Sequence, residues 1–314
     1  MENRQLGASG VEISRLALGC GNFGGVGSAP AFFGQGENEE EAFALMDGAW
    51  SLGMRTFDTA DAYGGGRSET WIGKWIARNG NRPAIVTKTF NPMDEGADRG
   101  LARGRITRQL ESSLDRLGVD VIDVYLAHEF DPDTPVAETA ATFEGLRDIG
   151  LIKAWGVSNF DGAQLRELCE HGLPAVVQNA YNLLERADEE DVIGLCAQLN
   201  IGYMAFGPLA GGLLAGRYRN SGDRPAGSRL ALRPGPYEPL LTDETFAALE
   251  RFAAGAEERG VTSAELAFAW LLAQPAVTAV VVGPRTQQHL GLAVRALDVK
   301  LSRAEADALA QLFF

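Results

Sequence analysis

The chain is poor in the residues that staple or metallate small folds. Its 314 residues hold three cysteines (Cys20, Cys169 and Cys196) and three histidines (His128, His171 and His289). No two cysteines form a CxxC pair, so a disulfide framework is excluded, and a structural zinc site would need nearly all six residues from distant positions. No apolar run approaches the ~18 residues of a membrane span, and the opening Met1-Glu2-Asn3-Arg4-Gln5 lacks a signal-peptide core. These absences point to a reducing, cytoplasmic compartment. Positive charge is also scarce, 28 Lys and Arg against 42 Asp and Glu, a formal net charge of −14. Nucleic acid and anionic membrane surfaces are therefore excluded as bulk partners, leaving room only for a local basic pocket around one phosphate. What is present, 46% hydrophobic and 22% charged residues, is the composition of a soluble globular protein with a sizeable core.

Strand-like apolar runs occupy 14–19, 55–58, 84–88, 121–128, 153–158, 175–180, 201–207 and 276–283. Most are short and continuously apolar, as strands buried on both faces are. Amphipathic helical patterns separate them at 39–52, 68–78, 101–117, 136–149, 163–171, 189–199, 244–259, 263–272 and 286–296. Asp161 and Asp188 stand at helix starts as N-caps, and Gly150 and Gly172 at stops. Such alternation predicts parallel strands with right-handed crossovers, in a doubly wound sheet or a closed barrel. One detail favours the barrel: eight strand-helix units averaging roughly 30–40 residues fill the chain, as in a barrel with a few insertions. The expected fold is α/β, a single (β/α)8 TIM barrel over 1–314 with an N-terminal β-hairpin at 5–13 and an extra C-terminal helix at 302–312. The segment 217–240, rich in turn formers and charges, reads as a mobile loop over the mouth.

Residues at the C-terminal ends of barrel strands converge on one site. Asp58, Lys88 and His128 end three successive strands, and Tyr63 lies just past the first. A tyrosine is a weak acid at neutral pH, and a nearby ammonium favours its charged form. Lys88 supplies that ammonium, Asp58 holds it, and His128 can hydrogen-bond a substrate oxygen. The set suits protonation of a carbonyl oxygen while a hydride reaches carbon. Singly, a strand-end aspartate caps a loop and a histidine is structural; the joint spacing carries the reading.

Phe57-Asp58-Thr59-Ala60-Asp61-Ala62-Tyr63-Gly64, Val86-Thr87-Lys88 and Leu126-Ala127-His128-Glu129-Phe130-Asp131 resemble the aldo-keto reductases in order and spacing. So do Trp155-Gly156-Val157-Ser158-Asn159-Phe160, Gln178-Asn179-Ala180-Tyr181-Asn182 and the run from Ala205-Phe206-Gly207-Pro208-Leu209 to Ala210-Gly211-Gly212-Leu213-Leu214. The likeness covers nearly the whole chain. It implies a barrel with NADPH extended across its mouth, Tyr63 as general acid, Lys88 and Asp58 as its tuning pair, and His128 orienting the carbonyl. It further implies Ser158, Asn159 and Gln178 on the nicotinamide carboxamide, and Phe206 stacked on the ring, where the family usually has a tyrosine. It also implies cofactor contacts at Gly207, where a common serine and its side-chain contact are lost, and at Pro208 and Leu209. Gly211, Gly212 and Leu213 match a turn whose N–H groups approach the pyrophosphate.

The stretch Gly283-Pro284-Arg285-Thr286-Gln287-Gln288-His289 resembles the motif for the adenosine 2′-phosphate. Arg285 argues for NADPH over NADH, while His289 and Ala293 replace a common glutamine and asparagine at the adenine end. Gly19-Cys20-Gly21 matches a first-strand motif that usually carries threonine at Cys20, which reads either as a cofactor neighbour or as a small buried residue. Phe32-Phe33 reads as a substrate wall or as closure of the barrel end. The resemblance implies an NADP-dependent enzyme reducing the aldehyde or ketone of a small-molecule substrate to an alcohol. A nucleotide-sensing regulatory subunit, like the potassium-channel β subunits, and an internal-redox enzyme on a sugar or natural product are the alternatives. Substrate identity and oligomeric state are not written in these residues.

Overall fold

The computed structural model describes residues 1–313. Eight parallel strands close into a barrel: β3 (Leu16–Gly19), β4 (Thr56–Asp58), β5 (Ala84–Thr89), β6 (Ile122–Ala127), β7 (Ile152–Ser158), β8 (Val176–Ala180), β9 (Gly202–Phe206) and β10 (Val277–Val282), with β10 returning to β3. All eight lie on the apolar runs read from the sequence. Ahead of them β1 (Asn3–Gln5) and β2 (Glu12–Ser14) pair antiparallel, Asn3 opposite Ser14 and Gln5 opposite Glu12. Their turn is fastened by the Leu6 N–H to Val11 O bond of 2.8 Å and by Ser9 Oγ donating to Leu6 O at 2.7 Å.

Two cores result. The inner one joins Ala17, Val86, Val124, Leu126, Ala154, Val176, Met204, Ala279 and Val281 to Leu6, Val11 and Ile13 of the hairpin. The hairpin thus plugs the N-terminal end of the barrel with three apolar side chains. Side chains alternate across a strand, so the next inward position above each apolar residue faces the mouth. Two residues on from Val86, Leu126, Val176 and Met204 stand Lys88, His128, Gln178 and Phe206. The period of two therefore floors the site with hydrocarbon and rims it with polar groups.

The outer core packs the barrel against α1 (Glu39–Ser51), α2 (Arg67–Asn79), α3 (Arg103–Leu117), α4 (Val136–Asp148), α5 (Gly162–Cys169), α6 (Val192–Leu199), α8 (Asp243–Glu258), α9 (Ser263–Ala273), α10 (Gln287–Arg295) and α11 (Arg303–Ala310). The short α7 (Arg229–Leu232) lies in the segment before α8. Asp161 caps α5 as expected, its side chain accepting from Gln164 N–H while Gln164 reaches back to Asp161 N–H. Asp188 is not a cap. Its Oδ2 accepts from Asn179 Nδ2 at 2.8 Å and from Tyr203 Oη at 2.7 Å, tying β8 to β9, and α6 starts later at Val192. Two buried donors on neighbouring strands outcompete the free N–H groups of a helix end.

The segment 217–240 carries structure of its own, α7 and a 3-10 turn at Gly235–Leu240. It is strapped across the mouth at three points. Arg229 donates to Asn22 Oδ1 at 2.8 Å, Tyr218 Oη to Gly211 O at 2.8 Å, and Arg285 to Gly227 O. Within it Tyr218 and Leu230 are buried.

Candidate active site

The strand ends bring Asp58, Lys88 and Gln178 into direct contact. Lys88 Nζ donates to Asp58 Oδ1 at 2.9 Å, to Asp58 Oδ2 at 2.8 Å and to Thr59 O at 2.8 Å. These partners satisfy the ammonium, as a lysine only 1% exposed requires. Gln178 Nε2 donates to Asp58 Oδ1 at 2.7 Å, so here its amide nitrogen faces the carboxylate rather than the open mouth.

Tyr63 reaches this group through a 3-10 turn, Tyr63–Gly66, in which Gly64, Gly65 and Gly66 have φ of 60°, 66° and 87°. A Cβ on Gly64 would lie 2.6 Å from Phe23 O, so only glycine lets the chain fold back tightly enough to present the ring. Lys88 Nζ stands 5.3 Å from the Tyr63 ring centroid. The His128 ring lies edge-on at 5.6 Å and 76°. Gly21 borders the ring, where a Cβ would stand 3.5 Å from Cε2.

Burial sets the protonation of this cluster. It pushes the Tyr63 phenol above its ordinary pKa, and the Lys88 ammonium only partly offsets it. This corrects the expectation that Lys88 would tip Tyr63 toward its charged form: the desolvation of the barrel mouth is the larger effect. Burial alone lowers Lys88, but Asp58 and then Tyr63 outweigh it and hold the ammonium above the ordinary lysine value. His128 is held well below its ordinary pKa, first by burial and then by Lys88. At neutral pH the site therefore holds a protonated phenol, a charged ammonium and a neutral imidazole. The His128 Nδ1 is buried without a partner. Such a set can donate a proton to an oxygen placed between the phenol and the imidazole, and then stabilise the phenolate it leaves.

The remaining expected residues line the rim in strand order. Ser158 ends β7 and is buried. Asn159, at φ 59°, donates from Nδ2 to His128 O at 2.8 Å and to Ser158 Oγ at 3.2 Å. Phe206 ends β9, and Gly207, Pro208 and Leu209 lead into the turn. Gly211 and Gly212 have φ of 66° and 105°. The Gly212 N–H donates to Leu209 O at 2.8 Å and the Leu213 N–H to Ala210 O at 3.2 Å, so both close the turn itself. The Tyr237 ring of the strap covers Gly211, 2.8 Å from where a Cβ would stand.

Cys20 is fully buried, its Sγ 3.5 Å from Leu18 O and its N–H on Asp58 O at 2.8 Å. Burial and then Asp58 push the thiol pKa up, so it is inert packing beneath Asp58. Gly19 serves packing too, since a Cβ there would lie 2.9 Å from Val281 and 3.1 Å from Val282 O. Phe33 packs on Gly65 beside the tyrosine turn, while Phe32 lies under Arg233 at 6.0 Å. Beyond β10, Gly283 is exposed and a Cβ there would meet nothing. Arg285 pairs with Glu37, and its N–H donates to His289 Nδ1 at 3.2 Å. Ala293 is fully buried.

Glu129 escaped the sequence reading. It follows His128 directly, accepts from Asn159 Nδ2 at 3.3 Å, and burial raises its pKa to about 7 with Arg233 opposing. Its neighbour in the motif was the only signal; its burial was invisible. A groove of about 720 Å³ between α6, α9 and α11, lined by Tyr181, Cys196 and Trp270, holds none of these residues. Among the described residues no cluster of three or more His, Cys, Asp or Glu could hold a metal ion. No helix among them is long and apolar enough to cross a membrane.

A closed eight-stranded parallel barrel with an ion pair, a phenol and an imidazole at its C-terminal mouth is the frame of a (β/α)8 enzyme. The chain belongs to the aldo/keto reductase family, which residues 15–313 match. It is 36% identical over 321 residues to the uncharacterised oxidoreductase YrpG of Bacillus subtilis, covering 96% of this chain and 93% of that one. It is 33% identical over 313 residues to a probable voltage-gated potassium channel subunit beta of Oryza sativa, covering 95% and 92%. Among solved structures it is similar to the glycerol dehydrogenase of Gluconobacter oxydans, with a TM-score of 0.83, 28% identity, and 99% and 94% of the two chains covered. The family is one of oxidoreductases that use NAD(P)H, and the chain is an enzyme of that class.

Proposed function

We propose that the chain reduces the carbonyl of a small aldehyde or ketone to an alcohol with NADPH, Tyr63 giving the proton. The observation that carries this reading is the geometry of the mouth: the buried Lys88–Asp58 ion pair places its ammonium 5.3 Å from the Tyr63 ring centroid, and the His128 ring lies edge-on to that phenol at 5.6 Å. When bound, the nicotinamide supplies the hydride. The chain's own residues do the rest. Asp58 fixes the ammonium of Lys88 through both carboxylate oxygens, so that the phenolate left by Tyr63 forms next to a fixed positive charge. His128, uncharged, hydrogen-bonds the substrate oxygen and orients it toward Tyr63.

The residues present fit the cofactor. Successive strand ends offer Ser158, Asn159 and Gln178 for the carboxamide, Phe206 for the ring, and Gly283, Arg285 and His289 for the adenosine end, while the 207–213 turn, whose Gly212 and Leu213 N–H groups are bonded within it, offers the pyrophosphate a close approach to glycine backbone once Tyr237 moves aside. They follow one another around the rim in the order a dinucleotide needs. Gly21, just past β3, borders the Tyr63 ring, with Gly19 and Cys20 packed behind it. The three cysteines are free thiols, which suits a reducing, cytoplasmic setting.

Absorbance-followed oxidation of NADPH over a panel of aldehydes, ketones and keto-sugars tests the reading. Steady turnover is expected with some members. The Tyr63→Phe variant should lose about 10²–10⁴-fold in kcat, the usual weight of a general acid, while binding NADPH as the parent does. Loss of cofactor affinity in that variant would contradict the role. The likeness to potassium-channel β subunits supports a second reading, a nucleotide-sensing subunit. Tight NADPH binding without turnover on any carbonyl would favour it.

A further inference from the structure

Arg285, the cation assigned to the 2′-phosphate, is engaged by another group. Its Nε donates to Glu37 Oε1 at 3.1 Å, across 248 positions of sequence. Glu37 comes from the loop between β3 and α1, and β3 is the strand that pairs with β10 just ahead of Arg285. Its backbone is fixed on both sides: its N–H donates to Asn22 O at 2.9 Å and its carbonyl accepts from Gly24 N–H at 2.9 Å. The next residue, Asn38, caps α1. The carboxylate is therefore delivered to Arg285 by a rigid segment, not by a wandering surface chain.

The Glu37 side chain is 5% exposed, against 39% for Arg285. Its Oε2 is shielded from solvent and has no partner. A buried carboxylate oxygen without a donor is costly, so the arrangement is not explained by stability. The charged and titratable groups facing this pair are few. His289, from α10, is lowered by burial and then by Arg217 and Arg285, so it adds no charge at neutral pH. Glu41, from α1, acts on Glu37 in the same sense as burial, against the pull of Arg285. A Glu37 carboxylate held against Arg285 opposes the field that the guanidinium would turn on an anion.

The two forms of the cofactor differ at one position, and that difference meets this pair. A 2′-phosphate is an anion that only accepts hydrogen bonds, and it needs an uncommitted guanidinium fork. A free ribose 2′-hydroxyl is neutral and donates, and a carboxylate is its usual protein partner. We infer that Glu37 is a specificity-determining residue that opposes Arg285, limiting the preference for NADP(H) and admitting NAD(H). The inference rests on the cofactor reading above.

The test is direct titration of the ligand-free chain with NADP⁺ and with NAD⁺, followed by tryptophan fluorescence, for the parent, Glu37→Gln, Glu37→Ala and Arg285→Ala. Both Glu37 variants should tighten NADP⁺ by about tenfold or more, one charge contact's worth, and weaken NAD⁺ by about threefold or more as the carboxylate acceptor for the 2′-hydroxyl is lost. Arg285→Ala should weaken NADP⁺ to the level of NAD⁺. A general packing role would shift both ligands together. If the parent binds both dinucleotides and the Glu37 variants leave their ratio unchanged, or weaken NADP⁺, this inference is overturned and Glu37 merely orients Arg285. If the parent binds neither, the cofactor reading itself falls, and this inference with it.

Discussion

Asp61 shows how much a single buried carboxyl controls here. It is fully buried, its Oδ1 accepts the Ala62 N–H at 2.6 Å, and its Oδ2 has no partner. Its own N–H donates to Lys88 O at 3.0 Å, so it backs the very strand that carries the ammonium. Burial, then the nearby Glu69, raises its pKa from 3.8 to about 7, against the pull of Thr89 and Arg105. The folded state thus holds this proton more tightly than the unfolded chain. Between those two values the unfolded state binds fewer protons, and folding stability falls as pH rises, by roughly 4 kcal/mol in all. Asp61→Asn should remove that slope and be the more stable protein at pH 8. Denaturant unfolding of both proteins at pH 5 and pH 8 checks it, and equal slopes would refute the assignment. The sequence made Asp58, Lys88 and His128 legible because each ends an apolar strand on its inward side. It did not make legible the ionisation of Tyr63, because burial and a neighbouring charge oppose each other and only geometry says which is larger. Glu37 and Arg285 stayed apart for the same reason: neither local pattern contains the other.

At the scale of elements, strands were legible where continuous apolar runs left no other reading, and helices where apolar periodicity and caps agreed, as at Asp161. Asp188 misled because an aspartate before a helical pattern says nothing of the strand donors that claim it. The strap's own structure was hidden by its composition. Its glycines, prolines and charges dominate the composition, while the few side chains that fasten it, Tyr218, Arg229 and Tyr237, are spread thinly among them. Tyr237 lies over the glycine turn proposed for the pyrophosphate, so the strap has to yield for a dinucleotide to seat. Tyr237→Ala should speed both binding and release of NADP⁺, by about tenfold for the loss of one such contact. Stopped-flow fluorescence reads these rates, and unchanged rates would mean that the strap does not gate the site.

For the molecule as a whole, the N-terminal hairpin is as much a part of the barrel as any strand. Gly7 has φ of +55°, and a Cβ there would lie 2.7 Å from both Ala175 O and Asn200 O. Gly7→Ala should therefore cost about 2–4 kcal/mol through backbone strain and displaced contacts, lowering the midpoint of chemical denaturation for the entire barrel. A local loosening of residues 1–14 with the global midpoint unchanged would show that the hairpin is only an appendage.

That plug makes the barrel a vessel with one door. Leu6, Val11 and Ile13 close the far end with hydrocarbon. On the proposed reading, substrate, dinucleotide and product would all use the one open end, the end the strap crosses, so what leaves first would decide when the next enters.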